Sequence, residues 1–191
     1  MRMFLRKTTV GREPLVMAMS GVRMGERLVQ IGVDDPAVLG ALAAKVGISG
    51  HAAVLTLDER SAGRARKGIA EAGALADVTV SIDGSLPFDA DGFDVAIVHG
   101  VNGFMPTLAP EMRSRLLSQL LHVTRRGGRV IVTEAGERAG LKAMLAPAPK
   151  KDEQYEQAGG SVAALETAGF RPVRLLADRE GVRFIEGLKP T

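Results

Sequence analysis

Short apolar runs alternate with segments of helical periodicity along most of the chain. The helical segments place their apolar residues on one face, and the runs have the length of buried strands. The predicted strands are Leu28–Ile31, Ala53–Leu57, Val78–Ile82, Phe93–Val98 and Arg129–Thr133. The predicted helices are Pro36–Val46, Glu59–Ala72 and Pro110–Val123, and a turn at Arg125–Gly128 precedes the fifth strand. This alternation favours a parallel sheet with helices on both faces.

The carboxyl-terminal part follows a different pattern. A predicted helix at Ser161–Ala168 is ended by Gly169. Val173–Ala177 and Val182–Glu186 are then typical of two strands of a hairpin, joined by the sequence Asp-Arg-Glu-Gly. The last strand is therefore expected to run antiparallel to the others. The predicted fold class is α/β, a Rossmann-like doubly wound sheet of seven strands that is mostly parallel.

Two segments lie outside this pattern. Residues 1–26 form a predicted N-terminal helical extension, with a helix at Glu13–Met19. Residues 135–160 are rich in Ala, Gly, Pro and charged side chains, which predicts a loop. We expect this loop to cover the ligand edge of the sheet or to join a dimer contact. A chain of 191 residues is expected to form one domain, 1–191, around a full core.

Composition narrows the possible partners and sites. The formal net charge is only +3 and the basic residues are spread along the chain, so a nucleic-acid surface is weakly supported. Cysteine is absent, which excludes disulfides and fits a reducing cytoplasm, and the three histidines have no ligand-like spacing. No apolar run reaches the roughly 20 residues of a membrane span. Arg6 and Lys7 would lie inside the apolar core of a signal peptide, which disfavours secretion, so we expect a cytoplasmic protein. From the cysteine and histidine content we expect no metal site.

Four stretches carry a family resemblance. They are DGSLPFDADGFDVAIVHG at 83–100, LLHVTRRGGRVIVTE at 120–134, and LETAGFRPVRLL at 165–176 followed by VRFIEGLKP at 182–190. In this order and spacing, the chain resembles the class I S-adenosylmethionine (SAM)-dependent methyltransferases over roughly residues 27–190. The resemblance implies SAM as the cofactor and a small molecule as the methyl acceptor.

The resemblance also implies roles for individual residues. Gly32 would let the chain turn beside SAM, and Asp58 would accept hydrogen bonds from the ribose hydroxyls. Asp83 and Gly84 would lie beside the adenine. His99, at the carboxyl end of the fourth strand, is the one candidate for a catalytic role.

The first turn departs from the family pattern. Two further glycines are usual in that family where this chain has Val33, Asp34, Asp35 and Pro36. Asp35 and Pro36 are typical of a helix N-terminus. Asp34 has two opposed interpretations, because a carboxylate can pair with the ammonium of SAM but repels its carboxylate.

Three functions are compatible with these residues. The first is a SAM-dependent methyltransferase for a small molecule. The second is a methyltransferase-like protein without catalysis that acts as a binding or assembly subunit, as a homodimer or with a partner protein. Met17, Met19 and Met24 are then candidates for the partner surface. The third function, an NAD-type oxidoreductase, has the weakest support, because the first turn lacks the G-x-G-x-x-G pattern.

Overall fold

The computed structural model describes residues 12–136 and 153–191 and contains one seven-stranded sheet. The strands follow the spatial order β3-β2-β1-β4-β5-β7-β6. They are β1 (Arg27–Ile31), β2 (His51–Thr56), β3 (Asp77–Val80), β4 (Phe93–Gly100), β5 (Thr124–Ala135), β6 (Val173–Arg179) and β7 (Val182–Leu188). The predicted fold class is confirmed.

Helices pack on both faces of this sheet. In the described part of the chain they are α1 (Arg12–Ser20), α2 (Pro36–Val46), α3 (Glu59–Glu71), α4 (Phe104–Thr107), α5 (Pro110–Val123), α6 (Glu153–Gln157) and α7 (Gly160–Ala168). The apolar sides of α1 and α2 cover one face of the central strands. Helices α5 and α7 cover the other face, where Leu117 and Leu165 are fully buried.

The chain order places a crevice between β1 and β4. Strand β1 pairs in parallel with both β2 and β4, so the chain leaves β1 in one direction and later returns to its other side. In doubly wound sheets, the connections diverge at such a switch point and leave room for a ligand beyond the carboxyl ends of the strands. The segments after β1 and β4 are therefore the first place to look for a site.

The carboxyl-terminal hairpin forms the last two strands at one edge of the sheet, as predicted. Strand β7 is antiparallel to both β5 and β6. Gly169 ends α7 with a positive φ of 106°, a conformation that favours glycine. The hairpin brings Phe184 and Ile185 into the core, one on each face of the sheet.

Two boundaries differ from the sequence-based expectation. Residues 125–128, predicted as a turn, belong to β5, which already begins at Thr124 and pairs irregularly with β4 near Phe93. Part of the predicted 135–160 loop is helical, since α6 and the start of α7 lie within it. The rest of that loop, 137–152, and residues 1–11 lie outside the described residues.

Helices α2 and α3 approach each other at glycine. A Cβ atom built on Gly40 of α2 would lie 2.2 Å from the carbonyl oxygen of Gly68, and one built on Gly68 would lie 2.0 Å from the carbonyl oxygen of Pro36. Only glycine allows this backbone contact. It fixes the start of α2, and with it the first turn, against α3.

None of the helices in the described residues is long and apolar enough to cross a membrane.

Candidate ligand-binding site at the carboxyl edge of the sheet

The first turn after β1 depends on Gly32. Its φ is 75°, and its N–H donates to the carbonyl of Leu55 at 2.9 Å. A Cβ atom there would meet the carbonyl oxygen of His99 at 3.3 Å and the ring of Phe104 at 3.6 Å. The open side of this glycine therefore faces the segment that follows β4.

Asp34 joins the two sides of the crevice. Its carboxylate accepts hydrogen bonds from the backbone N–H of Val101 at 2.6 Å and of Asn102 at 3.0 Å. Both donors follow β4, whereas Asp34 follows β1. This pair of hydrogen bonds holds the two loops together, and we call it the Asp34 latch.

Arg64 of α3 supports the same turn from outside. Its guanidinium donates to the carbonyl oxygens of Val33 at 3.1 Å and Asp34 at 2.7 Å. In the structure it fixes the backbone from which the Asp34 side chain reaches across the crevice.

Asp35 and Pro36 begin α2, as their sequence predicts. The Asp35 carboxylate accepts a hydrogen bond from the N–H of Ala37 at 2.9 Å, and Pro36 occupies the first turn of the helix. This N-cap stabilises α2. It also places a second carboxylate next to that of Asp34.

His99 is buried at the end of β4, with only 3% of its surface exposed. Gln30 donates its side-chain amide to the carbonyl of Leu39 at 3.1 Å, so its oxygen faces His99 Nε2 at 2.9 Å. This arrangement puts the ring proton on Nε2 and leaves Nδ1 as an acceptor. Burial lowers the pKa of His99, although the carboxylates of Asp34 and Asp35 oppose that shift, so the ring is neutral at pH 7.

These groups line one cavity of about 180 Å³ at the switch point. Its polar lining comes from Asp34, Asp35, His99, Asn102 and Thr133, and its apolar lining from Val16, Pro36, Val38, Val101 and Val182. The N-terminal helix and the last hairpin thus contribute one wall each. Among the described residues that line it, none carries a positive charge at neutral pH, so the cavity has a negative character.

Asp58 caps a helix at the end of β2. Its two oxygens accept hydrogen bonds from the N–H and the hydroxyl of Ser61, both at 2.8 Å. These bonds, the backbone one first, lower the pKa of Asp58. A carboxylate offers about four lone-pair positions, so those outside the cap can accept further donors.

Asp83 and Gly84 form a turn after β3. One oxygen of Asp83 accepts from the hydroxyls of Ser85 and Ser81, each at 2.8 Å, and from the N–H of Ser85 at 3.1 Å. The Ser85 hydroxyl is the main cause that lowers the pKa of Asp83 to about 2. Gly84 has a φ of 72° and packs against Met112.

A shallow hollow adjoins this turn. It is lined by Thr79, Val80, Ser81, Ile82, Asp83, Ser85 and Pro87 and has a volume of about 610 Å³. The side chain of Ile82 is 83% exposed there. Such an apolar residue beside polar neighbours offers a surface that a planar ring can cover.

A second buried polar group lies on the opposite face of the sheet. Ser161 bridges Glu134, at the end of β5, to the hydroxyl of Tyr155, which is 2.7 Å from the Ser161 oxygen. Burial raises the pKa of Glu134 and of Tyr155. The guanidinium of Arg113 lies 4.0 Å from the centre of the Tyr155 ring. This group connects β5 to α5, α6 and α7.

The predicted site residues thus fall into two groups. Asp34 and His99 meet in the cavity between β1 and β4, with Gly32 in the adjoining turn. Asp58 and Asp83 lie outside that cavity, at the ends of the next two strands, and Gly84 packs against a neighbouring helix.

Sequence reasoning missed Gln30, Arg64 and the backbone donors of the second loop. Gln30 had a visible signal, because a polar residue inside an apolar strand needs a partner.

Within the residues that the structure describes, no three His, Cys, Asp or Glu side chains are grouped so as to hold a metal ion.

Comparison with solved structures shows that the fold of this chain is similar to that of methyltransferases. No protein-family model matches the sequence, and no curated protein matches it either. Among solved structures, a SAM-dependent methyltransferase from Aquifex aeolicus aligns with a TM-score of 0.72 and 16% identity, over 93% of this chain and 89% of that one.

Two further structures extend the comparison. The SAM-dependent methyltransferase SibL, in its apo form, aligns with a TM-score of 0.66 and 23% identity, over 94% of this chain and 55% of that one. The [4+2]-cyclase SpnF aligns with a TM-score of 0.64 and 17% identity, over 94% of this chain and 80% of that one. At these identities the similarity concerns the fold alone, and the proteins that share this fold include a cyclase. The chain has the class I methyltransferase fold.

Proposed function

We propose that this protein binds SAM along the carboxyl edge of the sheet and transfers its methyl group to a small molecule. The observation that carries the proposal is the cavity at the switch point, where Asp34 and His99 meet beside the turn at Gly32. Ligands of doubly wound folds bind at this place. No catalytic dyad is required, because SAM already carries an activated methyl group and the protein mainly has to align the acceptor with it.

The groups beyond the cavity suit an adenosyl moiety. The hollow beside Asp83 offers Ile82 as a surface for adenine, and Asp58 retains lone pairs for ribose hydroxyls. Neighbouring strands are about 4.8 Å apart, so the path from β3 to the gap between β1 and β4 is about 12 Å. An extended adenosyl ligand can cover this distance. The cavity itself holds about one ring-sized molecule, since engineered cavities of about 150 Å³ bind benzene.

Calorimetric titration of the full chain with SAM and with S-adenosylhomocysteine tests this proposal. We expect saturable binding of both, together with transfer of a radiolabelled methyl group from SAM to at least one compound in a panel of small amines and alcohols. Absence of heat and of a thermal shift at millimolar ligand contradicts the proposal. The variant Asp58→Ala should weaken the binding of both ligands if Asp58 accepts the ribose hydroxyls.

A second candidate function is a binding or assembly subunit without catalysis. The specific observation in its favour is the Asp34 latch, which ties together the two loops that a cofactor would separate. The amino edge of the sheet also exposes Met24 by 79%, Ile48 by 100% and Leu75 by 83%. These residues precede β1, β2 and β3, which are neighbours in the sheet. Such a row of apolar residues is suited to contact a second copy of the chain.

Light scattering separates the two candidates. A dimer that dissociates on replacing Met24 and Ile48 by serine, in a protein that binds no SAM, favours the assembly function. A monomer that binds SAM contradicts it. The variant Leu175→Ser, on the distant β6, is the control for simple removal of an exposed apolar side chain.

A further inference from the structure

We propose that the cavity between β1 and β4 recognises an alkylammonium group in preference to a carboxylate. The ammonium group can belong to an adenosyl cofactor, and in that case the inference rests on the proposed function. It can also belong to a small free amine, and in that case the inference is independent of the proposed function. Two carboxylates, a buried imidazole and a pair of backbone donors that are already occupied all point to this ligand.

The first step is charge. The carboxylates of Asp34 and Asp35 both line the cavity, and no described residue of the lining is a cation. The nearest described cation at this turn, Arg64, directs its guanidinium at the carbonyl oxygens of Val33 and Asp34 and is not part of the lining. A positive ligand is therefore attracted and a negative one repelled.

The second step is the unpaired acceptor of His99. The side chain is 3% exposed and lines the cavity. Its Nε2–H is used by Gln30, and no residue in the described ranges donates a hydrogen bond to Nδ1. Thr124 Oγ1 is the one enclosed side-chain polar atom without a partner in the described residues, so Nδ1 of His99 is accessible and can accept a hydrogen bond from a ligand in the cavity. An ammonium group supplies three donors and a positive charge.

The third step concerns the backbone donors that would hold a carboxylate. The N–H groups of Val101 and Asn102 follow β4 side by side, an arrangement that suits two oxygens of one carboxylate. Asp34 already occupies both of them. A ligand carboxylate would have to displace Asp34 and then lie beside the charge that it displaced.

A set of matched ligands tests this inference with the full chain. The adenosyl series is 5′-methylthioadenosine without a charged arm, S-adenosylhomocysteine with ammonium and carboxylate, and decarboxylated S-adenosylhomocysteine with ammonium alone; all three have an uncharged sulfur. The short series is butylamine and butyrate. We expect decarboxylated S-adenosylhomocysteine to bind about tenfold more tightly than either of the other two nucleosides, and butylamine to bind in preference to butyrate.

Two isosteric variants identify the groups responsible. Asp35→Asn keeps the N-cap, since asparagine caps as well as aspartate, but removes the charge. Asp34→Asn keeps one acceptor for the latch. Each should reduce the tenfold preference for the ammonium ligand. The control Glu71→Gln removes one negative charge at an exposed position of α3, away from the cavity, and should leave the preference unchanged.

Each outcome upholds or overturns the preference. Equal or tighter binding of S-adenosylhomocysteine than of its decarboxylated form overturns the inference, as does an unchanged preference in Asp35→Asn. Binding of butylamine without any adenosyl compound upholds the inference, identifies a free amine as the source and refutes the proposed function. Binding of 5′-methylthioadenosine alone overturns the inference and leaves the adenosyl site intact. Binding of no probe overturns both.

Discussion

The carboxylate of Asp34 accepts a hydrogen bond of 2.6 Å from the backbone N–H of Val101, across the gap between two parallel strands. The family resemblance implies glycine at this turn, where main-chain atoms approach a cofactor. In this chain a side chain spans the gap instead. The consequence is a crevice whose two walls are tied by the protein itself and whose remaining space carries a negative charge.

Removing the latch should loosen the two loops. Asp34→Ala leaves the N–H groups of Val101 and Asn102 without their acceptor, and we expect a loss of about 1–2 kcal/mol in the free energy of unfolding. Asp34→Asn, which retains an acceptor, should lose less. Urea denaturation measures both values. Equal stability of the alanine variant and the wild type would show that the latch does not hold the loops.

The contact between α2 and α3 should tolerate no side chain at Gly68. A Cβ atom would lie 2.0 Å from the carbonyl oxygen of Pro36, so Gly68→Ala forces the helices apart and should cost about 1–3 kcal/mol or more. Gly63 lies in the same helix, and a Cβ atom added there would meet no other atom within 4 Å. The matched variant Gly63→Ala should therefore stabilise the protein by about 0.5–1 kcal/mol. Thermal and urea unfolding measure the change in stability of each variant, and the two changes should have opposite signs. Changes of the same sign would contradict this packing of the two helices.

Asp83 should contribute to the acid sensitivity of the fold. Its pKa is lowered to about 2 in the folded protein, from 3.8, mainly by the Ser85 hydroxyl. A lowered pKa means that the unfolded chain binds the proton first, so the stabilisation is complete above about pH 4 and is lost as the pH falls towards 2. Asp83→Asn should have a flatter stability profile in this range. If the dependence of stability on pH is unchanged in the variant, Asp83 is not the cause of the acid sensitivity.

Glu134 should act in the opposite direction. Burial raises its pKa above 4.5, so the folded protein holds the proton more tightly than the unfolded chain. Stability should then fall as the pH rises from about 4.5 through the folded pKa, because the buried carboxyl loses its proton. Glu134→Gln preserves an acceptor for Ser161 and should remove that part of the slope. Denaturation at several pH values above 4.5 measures it, and a slope that persists in the variant contradicts the assignment.

Much of the fold follows from local sequence signals. The helix bounds Pro36–Val46 and Pro110–Val123 were predictable because each helix begins with a proline that suits the first turn and carries a regular apolar face. The bounds of β5 were not. Arg125–Gly128 has the residues of a turn, and the pairing of β5 with β4 skips it. Thr124 pairs with Phe93 and Arg129 with Val95, so these four residues form an irregularity within the strand.

The site was less predictable because its contacts are distant in sequence. The donors to Asp34 lie 67 and 68 positions further along the chain, and Arg64 lies 31 positions from Val33. Local propensity carries no information on such pairs. The caps of α2 and α3 were readable because Asp35 and Asp58 bond to residues only two and three positions away.

Backbone amide NMR reveals whether the crevice between β1 and β4 is the place where a ligand binds. In ¹⁵N-labelled protein titrated with decarboxylated SAM, we predict shift changes at Val101 and Asn102, whose N–H groups are bonded to Asp34, and at the turn from Gly32 to Ala37. Amides at the amino edge, such as those of Met24 and Ile48, should not move. Shifts confined to the amino edge, or none at millimolar ligand, would show that the crevice is not the ligand site.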